Sequence, residues 1–318
     1  MKLTKQDMDN ILNNYNLGKF KKFGKIMKDD KVSYGRIIYT SKKKVFMKIF
    51  RLFDTSIRQG LIVSSELHKK GFPTYEIYET ENKKSSILYE GERIVFLEYL
   101  EIKDIKEWPD LSIEQIRDFS KQLAIFHKHT SKMKLKNTFH GGHNDLNQLI
   151  KKAFRLRKRY NKKIQKAIIF MNNEIKKLRC KSGEKKAGYF SEFNPGHVRF
   201  NGNKVEWIID WEIGYDYTFY DWGSSLESCF DEKKKTLSYE QIKEFIKSYN
   251  SIQKLSRWEK EHIYEALLFG VFKYGVWGLI DLKTGGFVKD SKKVDMSVIN
   301  KVLYMMEDNK ENFRDIVK

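Results

Sequence analysis

Gly188-Tyr189-Phe190-Ser191-Glu192-Phe193-Asn194-Pro195-Gly196-His197-Val198-Arg199-Phe200, followed by Val205-Glu206-Trp207-Ile208-Ile209-Asp210-Trp211-Glu212, decides how this 318-residue chain is read. The first half has the composition of a loop with one acid, Glu192, ahead of a Pro-Gly turn and a short strand. Asn201-Gly202-Asn203 carries turn chemistry. The apolar run that follows predicts a buried strand ending on Asp210, 18 positions beyond Glu192. A carboxylate where a buried strand runs out is costly unless it is paired or holds a cation.

Working outward from that hairpin, the bulk numbers bound the class. The length allows two lobes with their own cores, and 40% hydrophobic with 14% aromatic residues excludes a disordered chain. Two cysteines, Cys180 and Cys229, give neither a zinc spacing nor a disulfide framework, which fits a reducing cytoplasm. Met1 to Phe20 is polar and charged, and no apolar run reaches membrane-spanning length, so the expectation is a cytosolic, soluble protein. The net charge is +20, and Lys151 to Lys186 holds 15 Lys/Arg against Glu174 and Glu184. A surface of that kind attracts polyanions, with Lys151, Arg155, Arg159 and Lys163 as possible RNA contacts. The preference for Lys over Arg also matches the codon bias of an AT-rich genome, so charge alone does not name a partner.

Periodicity divides the chain near residue 100. A short amphipathic helix (Met8, Ile11, Leu12, Tyr15) precedes strands at Lys25–Met27, Tyr34–Tyr39 and Val45–Phe50. A helix is predicted over Ser56–Lys70 with Gly71 at its end, then strands at Tyr75–Thr80, Ser86–Tyr89 and Arg93–Leu100. Beyond Glu101 the pattern turns helical. Ser112-x-x-Gln115 has the form of a capping box before a helix to His129. Leu149 to Leu178 reads as one long amphipathic helix, and further helices are predicted at Ser238–Asn250, Arg257–Ile280 and Asp295–Met306. His140-Gly141-Gly142-His143-Asn144-Asp145 contains tempting His and Asp residues. It opens straight into the basic helix, however, so Asn144 or Asp145 is expected to be its N-cap.

Phosphoryl transfer needs a cation on the donor phosphates, a carboxylate for a divalent metal, and a group that orients the acceptor. Lys48 lies mid-strand with parity opposite to Met47 and Ile49, so an apolar strand carries one cation on its other face. Such a lysine is ordinarily a solvated side chain. The 188–212 stretch resembles the His-Gly-Asp…Ile-Ile-Asp-Trp-Glu region of the aminoglycoside phosphotransferase and choline kinase branch of the protein-kinase-like superfamily. The spacing of Lys48 to Glu66, in Ser65-Glu66-Leu67…Gly71-Phe72-Pro73, is similar to that family's strand lysine and helix glutamate. Arg93 to Glu101 looks like its hinge strand, and Tyr220-Asp221-Trp222-Gly223 looks like the segment whose acid braces the catalytic loop.

The resemblance implies an α+β, protein-kinase-like bilobal fold. Residues 1–100 would form a nucleotide-binding sheet lobe, and residues 101–318 a helical lobe with a catalytic hairpin at 188–212 and a basic helical insert at 143–186. It implies ATP (or GTP) with Mg²⁺, or Mn²⁺, and transfer to a hydroxyl of a small-molecule or other anionic acceptor. Lys48 would grip phosphates with Glu66 orienting it, and Glu98 and Leu100 would lie at the adenine. Asp210 would hold metal with Asn194 or His197, and Glu192 would position the acceptor. On this footing a cation from the sheet half meets an acid from the helical half. Three departures stand out: Phe190 replaces the leading histidine, Glu192 the aspartate, and His197 the asparagine. The loop Lys28–Gly35 has one glycine in place of a Gly-rich turn. These departures support a second possibility, a degenerate kinase-like protein that binds nucleotide or RNA without turnover.

Overall fold

The computed structural model describes residues 3–29, 33–101, 111–138, 142–190, 193–231, 236–281, 286–289, 291–307 and 313. Glu192, Asp30 to Val32 of the expected phosphate loop, and His140-Gly141 lie outside the described residues. The chain divides into two compact units, one of Met1–Asp104 with Trp207–Glu212, the other of Ile105–Glu206 with Ile213–Lys318.

In the first unit, helix α1 (Lys5–Leu12) is closed by a reciprocal capping box between Thr4 and Asp7 and buries Met8, Ile11 and Leu12. An antiparallel sheet follows: β1 (Phe20–Asp29), β2 (Ser33–Thr40) and β3 (Lys44–Phe50). Helix α2 (Thr55–His68) comes next, with Asp54 accepting from the Ser56 and Ile57 amides. Then come β4 (Ile77–Tyr78), β5 (Ile87–Tyr89) and β6 (Glu92–Glu98). The strand order is β1-β2-β3-β6-β4, with β5 also pairing β6. Alternation decides the faces. Val45, Met47 and Ile49 of β3 are buried with Ile38, Ile94 and Phe96 against α1, which leaves Lys48 on the opposite face between Gly35 and Val95 in register.

Trp207–Glu212 belongs to this unit because its backbone is sewn into it. The Ile208 amide donates to the Pro73 carbonyl (2.9 Å), and the Thr74 hydroxyl donates to the Ile208 carbonyl (3.1 Å). Helix α2 crosses the Trp211 backbone at Gly60, where any Cβ would overlap the Trp211 carbonyl.

The second unit is mainly helical. Helix α3 (Ile113–Thr130) has the expected Ser112/Gln115 capping box and buries Ile116, Phe119, Leu123 and Phe126. Helix α4 (His143–Leu156) starts on Gly142, with no capping side chain there, so neither Asn144 nor Asp145 is the N-cap. The single helix expected over Leu149–Leu178 is two. After α4 a 3₁₀ turn at Arg157–Arg159 leads to an extended Tyr160, and α5 (Lys162–Glu174) restarts on Asn161, whose side chain accepts from the Ile164 amide. Tyr160 is anchored at the break by its hydroxyl donating to the Val288 carbonyl, 3.0 Å. Strands β7 (Lys186–Phe190), β8 (Val198–Asn201), β9 (Lys204–Ile208) and β10 (Ile213–Tyr217) form two ladders, β7 with β10 and β8 with β9.

Helices α6 (Thr218–Leu226), α7 (Tyr239–Ile252), α8 (Arg257–Glu261), α9 (Ile263–Trp277) and α10 (Met296–Glu307) complete the unit. The apolar run from Arg257 is thus interrupted at His262, whose φ of −123° and ψ of 26° leave the helical region. Helix α9 is buried on nearly every side, as a core helix should be. It meets α6 backbone to backbone, with Gly270 against the Gly223 carbonyl and Gly223 against that of Ala266. Among the described residues no helix is long and apolar enough to cross a membrane.

That crossing generates a stability prediction. Gly270→Ala puts a methyl group where the α6 backbone lies, and backbone cannot yield as a flexible side chain does. Overpacking of this kind costs roughly 1–3 kcal/mol, so urea unfolding should show a lowered midpoint. An unchanged midpoint would mean that the two helices are not in contact.

Candidate active site

In the first unit the Lys48 ammonium donates to Asp210 Oδ1 at 2.6 Å, with the two side chains 14% and 29% exposed. Lys48 is fixed by the register of β3. Asp210 stands two residues past the end of β9, between Ile208 and Trp211, both buried. Its φ is +65°, a left-handed conformation in a residue that is not glycine. Such a backbone costs of order 1–3 kcal/mol and persists where surrounding contacts enforce it. The enforcing contacts are those just described at Pro73, Thr74 and Gly60, together with the Trp211 indole. That indole donates to the Ile208 carbonyl (3.0 Å) and meets Phe72 edge-on. Tyr75 is buried beside the site, and its hydroxyl is pushed well above its usual range, first by burial and then by the charge on Asp210.

Of the remaining first-unit candidates, Glu66 sits differently from expectation. Lys48 donates to Asp210, not to Glu66, and Glu66 is exposed. The physical reason is rotation about α2. Gly60 must face Trp211, and six residues further on, at about 100° each, Glu66 is turned some 240° away. The polar side chains that α2 buries include Gln59, 7% exposed, which the eighteen-residue spacing gave no means of finding. Glu98 closes β6 by pairing with Glu76: its amide donates to the Glu76 carbonyl (2.8 Å), and its carboxylate accepts from the Glu76 amide (3.1 Å). That amide is therefore committed within the protein. Leu100 lies in the extended segment beyond, half-buried.

In the second unit, Asn194 and His197 belong to a 3₁₀ turn, Pro195–His197. Asn194 Oδ1, expected as a metal ligand, accepts from the Gly196 amide at 2.9 Å and so holds the turn. His197 is half-buried. Among the described residues no three His, Cys, Asp or Glu side chains converge as a metal-binding group.

The loop is braced from behind by a buried relay. Asp221 Oδ2 accepts from the Phe190 amide (2.8 Å) and from His127 Nε2 (3.0 Å), while His127 Nδ1 meets the Tyr249 hydroxyl (2.6 Å). Burial raises the Asp221 carboxyl above its ordinary range, opposed by the His127 hydrogen bond. Burial also drives the Tyr249 hydroxyl far up, so it keeps its proton. Tyr249 donating to Nδ1 and Nε2 donating to Asp221 Oδ2 accounts for both contacts, while Asp221 Oδ1 is buried without a hydrogen-bond partner among the described residues. His127 and Tyr249 went unnoticed in the sequence because each falls at an ordinary inward position of its helix. Phe190, in place of a polar residue, is fully buried among Phe126 and Phe193, with ring centroids 6.0 and 5.7 Å away.

No protein-family model and no curated protein sequence matches the chain. Solved structures do match in fold. An aminoglycoside phosphotransferase from Alicyclobacillus acidocaldarius aligns with a TM-score of 0.67 at 12% identity, covering 99% of this chain and 96% of the other. An amicoumacin kinase solved with AMP-PNP and Ca²⁺ aligns at 0.62 and 13% identity, covering 89% and 88%. A choline/ethanolamine kinase family protein from Mesorhizobium loti aligns at 0.55 and 13% identity, covering 97% and 95%. Many of the structural neighbours are aminoglycoside phosphotransferases and choline or ethanolamine kinases, of the protein-kinase-like superfamily. The antiparallel N-terminal sheet and helical C-terminal part match that fold.

Asp221→Ala removes the acceptor used by both His127 and the Phe190 amide. Each stranded buried donor costs about 1–3 kcal/mol, so a loss of roughly 2–6 kcal/mol is expected in denaturant unfolding. Asp221→Asn, which keeps one acceptor oxygen, should lose less. Equal and small losses would show that the relay does not hold the loop.

Proposed function

We propose that this chain is a phosphotransferase that moves the terminal phosphoryl group of ATP or GTP to a hydroxyl of a small polar acceptor. The observation that carries this reading is the Lys48–Asp210 pair, an ammonium and a strained, partly exposed carboxylate at 2.6 Å. Lys48 has three donors, one engaged by Asp210, so the others would serve the donor phosphates. Asp210 is an oxygen ligand of the kind a hard divalent cation takes, and His197 suits Mn²⁺ better than Mg²⁺. The cation would neutralise phosphate charge. The purine would lie along the segment beyond Glu98, where the Leu100 backbone follows the strand. Glu192 would accept the proton of the acceptor hydroxyl as the new P–O bond forms and the bond to the nucleoside diphosphate breaks. AMP-PNP in a neighbour of the same fold supports the choice of nucleotide.

The basic surface bears on the acceptor. Lys151, Arg155, Arg159 and Lys163 are all exposed along α4, the 3₁₀ turn after it and α5. Their field repels polycations and favours an anionic or neutral hydroxylated acceptor. A second reading rests on Phe190, whose ring fills the aromatic core where the resembling family has a polar residue. It makes the chain a nucleotide- or RNA-binding protein without turnover.

Thermal unfolding with ATP or GTP, each with Mg²⁺ or Mn²⁺, tests the proposal. Nucleotide at about 100 times its Kd should add about 2.7 kcal/mol of stability. Asp210→Ala should abolish the effect and Lys48→Ala should weaken it. No stabilisation by any combination would overturn the nucleotide assignment, whereas stabilisation without phosphoryl transfer would favour the second reading.

A further inference from the structure

Helix α2 turns one narrow face to the segment that carries Asp210. Gly60 lies against the Trp211 carbonyl, and Ser64, four residues on, is rotated only about 40° from it. Ser64 and Thr74 are 0% and 1% exposed, and their hydroxyl oxygens lie 3.1 Å apart. Thr74 in turn donates to the Ile208 carbonyl and is bridged to Ile208 in parallel. Ile208 is fully buried and stands two residues before Asp210.

The protons of this chain can be placed. A hydroxyl carries one proton, and a carbonyl only accepts. Thr74 uses its proton on Ile208, so Ser64 is the donor to Thr74 Oγ1, and the chain runs from Ser64 through Thr74 to Ile208. His68, one turn further along α2, has its Nδ1 2.9 Å from the Thr74 carbonyl. By the same rule Nδ1 carries a proton there. Thr74 is therefore gripped from α2 at its side chain and at its carbonyl. The Ile208 carbonyl also accepts from the Trp211 indole, so a hydroxyl and an indole fix its direction together. In a dry interior no water replaces a donor that is lost.

This is a different use of the helix from the one the sequence led us to expect. Glu66 is exposed, and the Lys48 ammonium donates to Asp210. The contacts that α2 makes with the site reach the backbone on both sides of Asp210: Ile208 through the hydroxyls, and Trp211 at Gly60.

We propose that Thr74, with Ser64 behind it, is the positioning residue for Asp210, and that α2 sets the site through the acid and not through the cation. The hydroxyl chain keeps the strand end directed so that the carboxylate meets Lys48. A divalent ion bound by Asp210 depends on that placement, whereas the contact of Lys48 with phosphate does not. The effect on the divalent ion rests on the phosphotransferase reading, while the placement of Asp210 against Lys48 stands without it.

Acetylation of Lys48 by acetic anhydride, read on its peptide by mass spectrometry with no nucleotide present, tests the placement. Thr74→Val keeps the shape and removes the hydroxyl, and should raise the Lys48 rate toward that of Asp210→Ala. Thr74→Ser should keep the wild-type rate, Ser64→Ala should raise it less than Thr74→Val, and Glu66→Ala should leave it unchanged. In thermal unfolding with ATP, Thr74→Val should need about tenfold or more Mn²⁺ for half of its stabilisation, the scale on which outer partners of a ligating carboxylate act. Any stabilisation by ATP in EDTA should stay as in the wild type. A purely structural role would lower Tm alike in every condition and move neither the Lys48 rate nor the Mn²⁺ midpoint. The proposal is overturned if folded Thr74→Val keeps the wild-type Lys48 rate, or if Thr74→Ser is affected as strongly as Thr74→Val. Should Thr74→Val not fold, the rate in Ser64→Ala decides in the same way. A wild type that ATP does not stabilise would overturn the phosphotransferase reading, and the Lys48 rates would still decide this one.

Discussion

The ion pair between Lys48 and Asp210 is the constraint around which the first unit is organised. It joins residues 162 positions apart, so the loop entropy of closing that span must be met by other contacts. Those contacts are visible: a backbone hydrogen bond at Pro73, a hydroxyl bond at Thr74, a glycine that lets α2 lie on the Trp211 backbone, and Trp211 against Phe72. They place a carboxylate in a left-handed conformation and hold it there, the kind of stored strain that gathers at functional positions. A pair with its members 14% and 29% exposed contributes little to stability by itself. Its significance is that a cation and an acid are kept at fixed separation where water and ligands still reach them.

Much of this was legible in the sequence because it rests on short-range periodicity. The parity of Lys48 against Met47 and Ile49 follows from strand geometry, and the apolar run to Ile209 marked Asp210 as the place where burial ends. The Ser112/Gln115 capping box and the amphipathic α3 were equally local. The acid was expected from the helical half, however, and Trp207–Glu212 instead packs with the sheet. A segment tied by backbone atoms of Pro73 and Ile208 leaves no signature in side-chain pattern.

What the sequence could not give depends on rotation and on long-range partners. Glu66 has the right residue type and spacing, yet the phase of α2 is set by Gly60 against Trp211, and that turns Glu66 to solvent. The break between α4 and α5 contains no proline or glycine. Tyr160 finds its anchor at Val288, far along the chain, and Asn161 then caps a new helix. The relay Tyr249–His127–Asp221 joins three helices, α7, α3 and α6, to the end of β7 through groups that look, in isolation, like core residues. Phe190 shows the converse: its departure from the resembling family was plain in the sequence, and the aromatic cluster explains how the fold accommodates it.

A double-mutant cycle on nucleotide affinity is the most direct test of the central claim. Binding of ATP with the divalent ion would be measured for the wild type, Lys48→Ala, Asp210→Ala and the double variant. If the two side chains act on the nucleotide as one unit, their effects will not add, and the coupling will fall within about 0.5–3 kcal/mol. Strictly additive losses, or affinities untouched by either change, would contradict the account.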